Sequence, residues 1–273
     1  MTASNPLLGP LLTTPPPHAP ERTTLRGRTV TLEPLHARHS SDLYASIGQP
    51  QHAALWEHLS LGPFDSGAAF ADTIAALATT TLPDPIYWAI VVPSSSSSSS
   101  SSSLSPAAPE TTSASDINTS TSATTGTAHG FLSLMRCSLP HRRVEVGSII
   151  LSPSLQRSTP ATEALYLLAR HVFETWRFRR LEWKCNQLNA PSRRAAARLG
   201  FVPEGCFRQH MVFKGRSRDT AWFAMLDAEW ALVGRALRAW LDVANFDAEG
   251  VQRWRLEDVR NEVKAEMEWE NRE

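Results

Sequence analysis

Cysteine is scarce in this chain. Only Cys137, Cys185 and Cys206 occur in 273 residues. The count is odd, and no C-x-x-C pair or Cys/His cluster is present, which argues against a disulfide framework and a zinc site and weakly favours a reduced compartment. Long apolar runs are missing too: nothing approaches the ~18 residues of a membrane span. The opening stretch MTASNPLLGPLLTTPPPHAP has neither the charged start nor the continuous apolar centre of a secretory signal. The expectation is a soluble cytoplasmic protein. Net charge is absent, with Lys+Arg 27 against Asp+Glu 27, so no global field recruits a polyanion or a membrane surface. The balance is uneven, however. Arg170 to Arg218 holds twelve Lys/Arg against three Glu, and Asp227 to the end holds seven against twelve Asp/Glu. A basic middle facing an anionic ligand and a solvated Arg-rich surface both fit that pattern.

What is present is a chain long enough for one ordinary domain with extra segments, or for two small ones. Residues 1–22 are rich in Pro and Thr and are expected to be disordered. RTVTLEPL (Arg28–Leu35) alternates like a strand. A short helix is expected over Arg38–Ile47 and another over Phe64–Thr80, capped by Asp65 or Ser66. IYWAIVVP (Ile86–Pro93) is a strand by its β-branched and aromatic content. Ten consecutive serines then run from Ser94 to Ser103, and Ser/Thr/Ala/Pro-rich sequence continues to about Thr127. Such a segment cannot bury enough apolar surface to offset its ordering entropy. Loop closure grows costly only slowly with length, so the insert 94–127 reads as a swollen hairpin loop and not as a domain boundary.

HGFLSLMRC (His129–Cys137) and VEVGSIILSP (Val144–Pro153) are the next strands. A helix over Pro160–Arg177 follows, with Thr159 as its expected cap and Ala161, Leu165, Leu168, Val172 and Trp176 as its apolar stripe. RLEWKCN (Arg180–Asn186) is a strand, and a short helix from Ala190 ends at Gly200. Two strands joined by a turn at Lys214–Arg216 come next, with RSRD (Arg216–Asp219) read as a turn carrying an ion pair. Helices over Asp227–Val243 and 248–270 close the chain. The order gives a single α+β, or mixed α/β, domain over 23–243 with a helical extension over 244–273. It is not a doubly wound fold.

The polar, basic stretch Leu155–Thr159 runs straight into a helix start, where free N–H groups and the helix dipole favour an anion. A phosphate cradle normally has glycine for close backbone approach, and this loop has none. On local features alone an ordinary capped helix is the better reading.

Three longer stretches carry a resemblance: VEVGSIILSPSLQRSTPATEAL, RLEWKCNQLNAPSRRAAARLGFVPEG and FRQHMVFKGRSRDTAWFAMLDAEW. From about Arg28 to Trp230 the chain resembles the GNAT superfamily of acyl-CoA-dependent N-acetyltransferases, and it looks closest to the ribosomal-protein alanine and serine N-acetyltransferases. The resemblance implies a central, twisted, mostly antiparallel sheet flanked by helices, with acetyl-CoA as cosubstrate. It implies that Gln156, Arg157, Ser158, Thr159, Pro160 and Ala161 form the pyrophosphate loop, with Thr159 standing where the family usually has glycine. It implies that the backbone of Ile149, Ile150 and Leu151 pairs with the pantetheine arm and the acetyl carbonyl. Asn189 matches the residue that bonds that arm, and Ser192 a polar position near the sulfur. For both, helix capping is the alternative.

Attack on the thioester needs a neutral amine, hence a base. The resemblance points to Glu145, eleven residues before Gln156 and expected on one strand face with Gly147, Ile149 and Leu151. The alternative is a structural carboxylate paired with Arg142 or Arg143. The acid of the ribosomal-protein branch aligns loosely with Met211, which cannot take a proton, and nearby His210 reads as structural. Trp88, Trp183 and Trp222 read as core. The implied function is direct acetyl transfer to a primary amine, either a protein N-terminus or a small molecule, by a monomer or homodimer. The alternatives are an inactive acyl-CoA-binding protein of the same fold and a nucleic-acid binder using Arg170–Arg218, although no RNP-like, zinc or helix-turn-helix signature supports the latter.

Overall fold

A computed structural model describes residues 9, 11–81, 85–94, 126–270 and 272. The serine run lies outside the described residues apart from its first member. One eight-stranded sheet organises everything, with strand order β1-β2-β3-β4-β5-β6-β8-β7. The strands are β1 (Leu25–Arg26), β2 (Thr31–Pro34), β3 (Ile86–Pro93), β4 (Gly126–Ser138), β5 (Arg143–Leu151), β6 (Arg180–Asn186), β7 (Val202–Phe213) and β8 (Arg216–Leu226). Every neighbouring pair is antiparallel except β5 with β6. The expected α+β class is therefore the observed one. β3 and β4 pair as far as Pro93 opposite Gly126, so the two ends of the insert sit side by side at the sheet margin.

Helices cover both faces. On one side a helical run with α1 (Ser40–Leu43) and then α2 (Gly67–Thr79, capped by Ser66) enclose a core of Leu35, Ile47, Trp56, Phe70, Tyr87 and Phe131. On the other, α3 (Thr159–Arg170), α4 (Ala190–Leu199), α5 (Asp227–Trp240) and α6 (Leu256–Glu270) enclose the larger core. β3 feeds both: Trp88 and Ile90 point to the larger core, Tyr87, Ala89 and Val91 to the smaller. Burial on both faces is why IYWAIVVP is continuously apolar and does not alternate.

Several boundaries differ from the sequence expectation. The cap of α3 is Ser158, whose Oγ accepts from the Ala161 amide at 3.3 Å, and not Thr159, which is the first helical residue. Regular α-helix ends at Arg170 and a single π turn, His171–Thr175, carries the chain on. α6 begins at Leu256, because a 3-10 turn (Val243–Asn245) and a Phe246–Gln252 bridge occupy the preceding residues. The N-terminal segment is docked well before residue 22. Pro17 and Pro20 are buried, the His18 amide donates to the Trp176 carbonyl at 2.8 Å, and the Arg22 guanidinium donates to the Leu35 and Thr80 carbonyls.

Candidate active site at a fork in the sheet

The parallel pair β5–β6 is in register from Arg143–Arg180 to Val146–Trp183 and no further. Both strands continue past that point, β5 to Leu151 and β6 to Asn186, so the sheet opens into a fork. β6 remains paired with β8 through Asn186–Thr220, and β5 remains paired with β4 through Leu151–Gly130. The β5 edge from Gly147 to Leu151 that faces β6 therefore has no strand partner among the described residues. Unpaired backbone at a sheet edge is a ready template for an extended ligand.

A bulge sits at the root of the fork. Ser148 has φ 48°, in the left-handed region that costs a residue with a Cβ energy, and the β4–β5 register shifts between Phe131 and Ser133. The consequence is a swap of faces. Val144 and Val146 point to the larger core, as expected, but Ile150 joins the smaller core while Ile149 and Leu151 pack on the larger. The expectation that Glu145 shares a face with Ile149 and Leu151 therefore fails at the bulge. Two side chains pin the distortion: Ser133 Oγ donates to the Gly147 carbonyl at 3.0 Å, and the Tyr87 hydroxyl bonds Ser148 while burial pushes its pKa up.

Glu145 is buried on the helix α2 side of the sheet, 3% exposed. It is paired, but not with Arg142 or Arg143. Arg136 Nη1 lies 2.8 Å from both of its oxygens, and Lys184 Nζ lies 2.8 Å from Oε2. The reason is local: Arg136 occupies a left-handed bulge of β4, φ 49°, beside Glu145's cross-strand partner Met135. Lys184 also contacts Glu182 at 2.8 Å, and Glu182 accepts from Arg180 at 2.9 Å and lies 3.5 Å from Arg143. Burial alone would raise the Glu182 carboxyl. Its hydrogen bonds to Lys184 and Arg180 outweigh that and hold it below the ordinary value.

The hairpin β7–β8 borders the other arm of the fork. Lys214 at its tip donates to the Trp56 and Gly62 carbonyls, both at 2.9 Å, and so ties the hairpin to the α1–α2 layer. Trp222, expected as core, is only half-buried. Its ring lies 3.9 Å from Lys184 Nζ and 4.6 Å from the Phe207 ring. His210 bonds Thr220 Oγ1 through Nδ1 at 3.0 Å and meets the edge of Trp222. RSRD is not a turn with an ion pair. It begins β8, the Asp219 carboxylate accepts from the Gln209 amide at 2.7 Å, and Arg218 has no ion pair among the described residues.

From Leu151 the chain turns into α3. The Gln156 side chain donates back to the Leu151 carbonyl at 3.1 Å, Arg157 is left-handed at φ 62°, and Ser158 Oγ donates to the Leu155 carbonyl. The amides of Arg157 and Thr159 have no partner among the described residues, and Pro160 has none to offer. The first turn of α3 thus presents free N–H groups directly after the open edge of β5. On the other arm, Asn189 caps α4 by accepting from the Ser192 amide at 3.1 Å. Ser192 Oγ accepts from the Trp183 indole at 3.0 Å and bonds the Cys185 thiol, whose pKa burial raises. Burial raises the Cys137 thiol as well. Neither is an activated nucleophile. Among the described residues no His/Cys/Asp/Glu group has metal-site geometry, and no helix is long and apolar enough to cross a membrane.

An open edge of one strand is followed at once by the N-terminus of a helix and faced by a diverging parallel strand. The Acetyltransferase (GNAT) domain profile matches residues 29–202. The chain belongs to the GNAT acetyltransferase family. A GCN5-related N-acetyltransferase from Brucella melitensis is 35% identical with a TM-score of 0.76, over 92% of this chain and all of that one. A Chromobacterium violaceum protein assigned to the GNAT acetyltransferases is 33% identical with a TM-score of 0.65, over 84% of this chain and all of that one. At 15% identity, where only fold is shared, the Microcin C7 self immunity acetyltransferase MccE, solved in complex with acetyl-CoA and AMP, has a TM-score of 0.55 over 73% of this chain and 93% of its own. A comparison with curated proteins returned no match. As a GNAT acetyltransferase, the protein has the fold of an acyl-transferring enzyme. The profile ends at residue 202, so the β7–β8 hairpin and the C-terminal helices lie beyond the matched region.

Proposed function

We propose that this protein is an acetyl-CoA-dependent N-acetyltransferase that moves the acetyl group directly to a primary amine. The observation that carries this reading is the fork: pairing of β5 with β6 stops at Val146–Trp183, and the freed edge of β5 leads into the first turn of α3. Ile149, Ile150 and Leu151 supply backbone groups for an amide-rich arm. The free amides of Arg157 and Thr159 and the Arg157 guanidinium meet the pyrophosphate. Replacement of the family glycine by Thr159 leaves the amide available. The Asn189 oxygen caps α4 while its Nδ2 has no partner among the described residues, and Ser192 stands at the same helix start. Burial of the Cys185 and Cys137 thiols favours direct transfer over an acyl-enzyme.

For the proton, the geometry favours a different residue from the one the sequence suggested. Both oxygens of Glu145 are taken by Arg136 and one also by Lys184, so Glu145 acts as a positioning residue that holds the fork together. His210 has one ring nitrogen fixed by Thr220 and the other without a partner among the described residues. It stands against Trp222 on the β7–β8 arm of the fork, and we assign it as the proton acceptor. Turnover is tested by thiol release from acetyl-CoA against a panel of peptides and small amines, with acetyl-CoA binding measured separately by calorimetry. No binding by folded protein at millimolar acetyl-CoA sinks the reading. Binding without turnover on any amine marks an inactive acyl-CoA-binding protein. Glu145→Gln separates the two roles: as a base it lowers kcat by ~10²-fold or more with unchanged melting, and as a positioning residue it lowers the melting temperature while the pH profile of turnover keeps its shape.

A further inference from the structure

Two buried hydrogen-bond donors on β8 have no partner among the described residues: Arg218 Nε and the Trp222 indole Nε1. Buried donors in native proteins are almost always satisfied, and an exception needs a reason. Both residues lie on the same face of one strand, four positions apart. That stretch of β8 runs beside the end of β6 that has left β5, since Trp222 is opposite Lys184 and Thr220 opposite Asn186. The charges of Arg136 and Glu145 at the root of the fork act on the Arg218 guanidinium, as does the Cys185 thiol.

The local charge count reinforces the point. Glu145, Glu182 and Glu204 are shared among Arg136, Arg143, Arg180 and Lys184. Those four cations already outnumber the three acids, and Arg218 adds a fifth with no ion pair of its own. The guanidinium is nonetheless half-buried and held 5.1 Å over the Phe213 ring. A desolvated, positioned and uncompensated guanidinium repels an approaching amine unless the same molecule brings an anion.

We propose that the acyl acceptor carries a carboxylate beside its amine, and that Arg218 and the Trp222 indole bind that carboxylate. This rests on the N-acetyltransferase reading and names the acceptor class for the same site. A carboxylate supplies planar acceptor oxygens matched to a guanidinium, and it neutralises the excess positive charge at the fork. The Phe207 and Trp222 rings, 4.6 Å apart, form an apolar surface on the same arm.

The test uses matched probes on the full-length protein. Turnover is compared for phenylalanine, phenylalaninamide and phenethylamine with acetyl-CoA. Binding of N-acetylphenylalanine and N-acetylphenylalaninamide is measured by calorimetry, which does not depend on catalysis. The wild type is expected to favour the carboxylate form by roughly 10- to 100-fold in kcat/KM and in affinity, the range of a hydrogen bond to a charged group. Arg218→Met collapses that ratio toward one, and Trp222→Phe narrows it. A wild-type ratio near one in the binding experiment overturns the inference, as does a preference that survives Arg218→Met in a protein that still melts cooperatively. Carboxylate-selective binding with no turnover upholds the inference and fails the enzymatic reading instead. A higher preference for 1-amino-2-phenylethylphosphonic acid than for phenylalanine identifies the anion as a phosphoryl group and overturns the carboxylate assignment.

Discussion

Arg136 and Arg218 stand near the same fork and have opposite fates. Arg136 spends its guanidinium on both oxygens of Glu145. Arg218 is half-buried, stacked on Phe213 and without an ion pair among the described residues. The contrast extends to the two arms. On the β4–β5–β6 side every buried charge is answered inside the protein: Glu145, Glu182 and Lys184 close a network at 2.8 Å contacts. On the β7–β8 side three polar groups are held in place but have no partner among the described residues: Arg218 Nε, the Trp222 N–H and one nitrogen of His210. Groups satisfied internally stabilise the fold, and groups positioned yet unsatisfied are available to a ligand. Substitution on the first side therefore costs stability, and on the second it costs function.

The largest effect is expected from Glu182→Gln. Removing one member of a buried ion-pair network leaves its partners uncompensated and costs ~3 kcal/mol or more, a fall of roughly 10 °C in melting temperature for a chain of this size. The pH dependence has a defined sign. In the folded protein the hydrogen bonds from Lys184 and Arg180 outweigh burial and hold the Glu182 carboxyl below its ordinary value. Its stabilisation is therefore fully present above that value and is lost as pH falls through the folded one. The variant should show a flatter acid limb in melts from pH 7 to pH 3. An unchanged melting temperature would break the distinction between the two arms.

Next comes His210→Gln, on the open side. Turnover should fall on the order of 10²-fold, or ~2.7 kcal/mol in the barrier. The rise of rate with pH should disappear while melting and acetyl-CoA affinity hold. A retained pH limb returns the proton to Glu145 or to solvent. Ser192→Ala follows, because it strips the Trp183 indole of its acceptor at a site 5% exposed. A loss of ~1 to 2 kcal/mol in chemical denaturation is expected. A drop in turnover without that loss would make Ser192 a catalytic group and not a structural one.

Arg218→Met sharpens the comparison most, with a small number. Removing a desolvated charge that has no ion pair should leave the melting temperature unchanged or raise it slightly, against the usual direction for a half-buried residue. A fall of several degrees would mean that Arg218 belongs to the structural set. The smallest effect is expected from replacing residues 95–125 with a short turn. Pro93 and Gly126 already face each other across the β3–β4 pair, so cooperative melting should persist.

Much of the fold was legible in the chain. The Arg180–Asn186 strand was read to its limits, as was the short helix Ala190–Leu199 ended by Gly200, which takes φ 101°. Periodicity and glycine chemistry act over a few residues, so they survive into the final structure. The cap of α3 was misread by one residue because Ser158 and Thr159 are chemically equivalent caps, and only the backbone turn at left-handed Arg157 decides between them. The candidate site was legible in outline and not in its partners. The loop before α3 and the Asn189–Ser192 helix start were visible as motifs. Nothing in VEVGSIIL signals that Ser148 bulges and exchanges the two faces. Nothing in LMRC signals that Arg136 reaches Glu145, since both depend on the β4–β5 register.

The sequence by itself determined where most strands and helices fall, and that a polar, basic helix start follows a central strand. Those properties follow from residue spacing and from caps within a few positions. The tertiary structure alone decided where the parallel pair β5–β6 lets go, which arginine answers Glu145, and which one is left open. These depend on strands brought together in space, Glu145 with Lys184 across the β5–β6 pair and Arg136 with Glu145 across the β4–β5 bulge. A charge's role is set by whether its neighbours in space compensate it, and sequence spacing does not encode those neighbours.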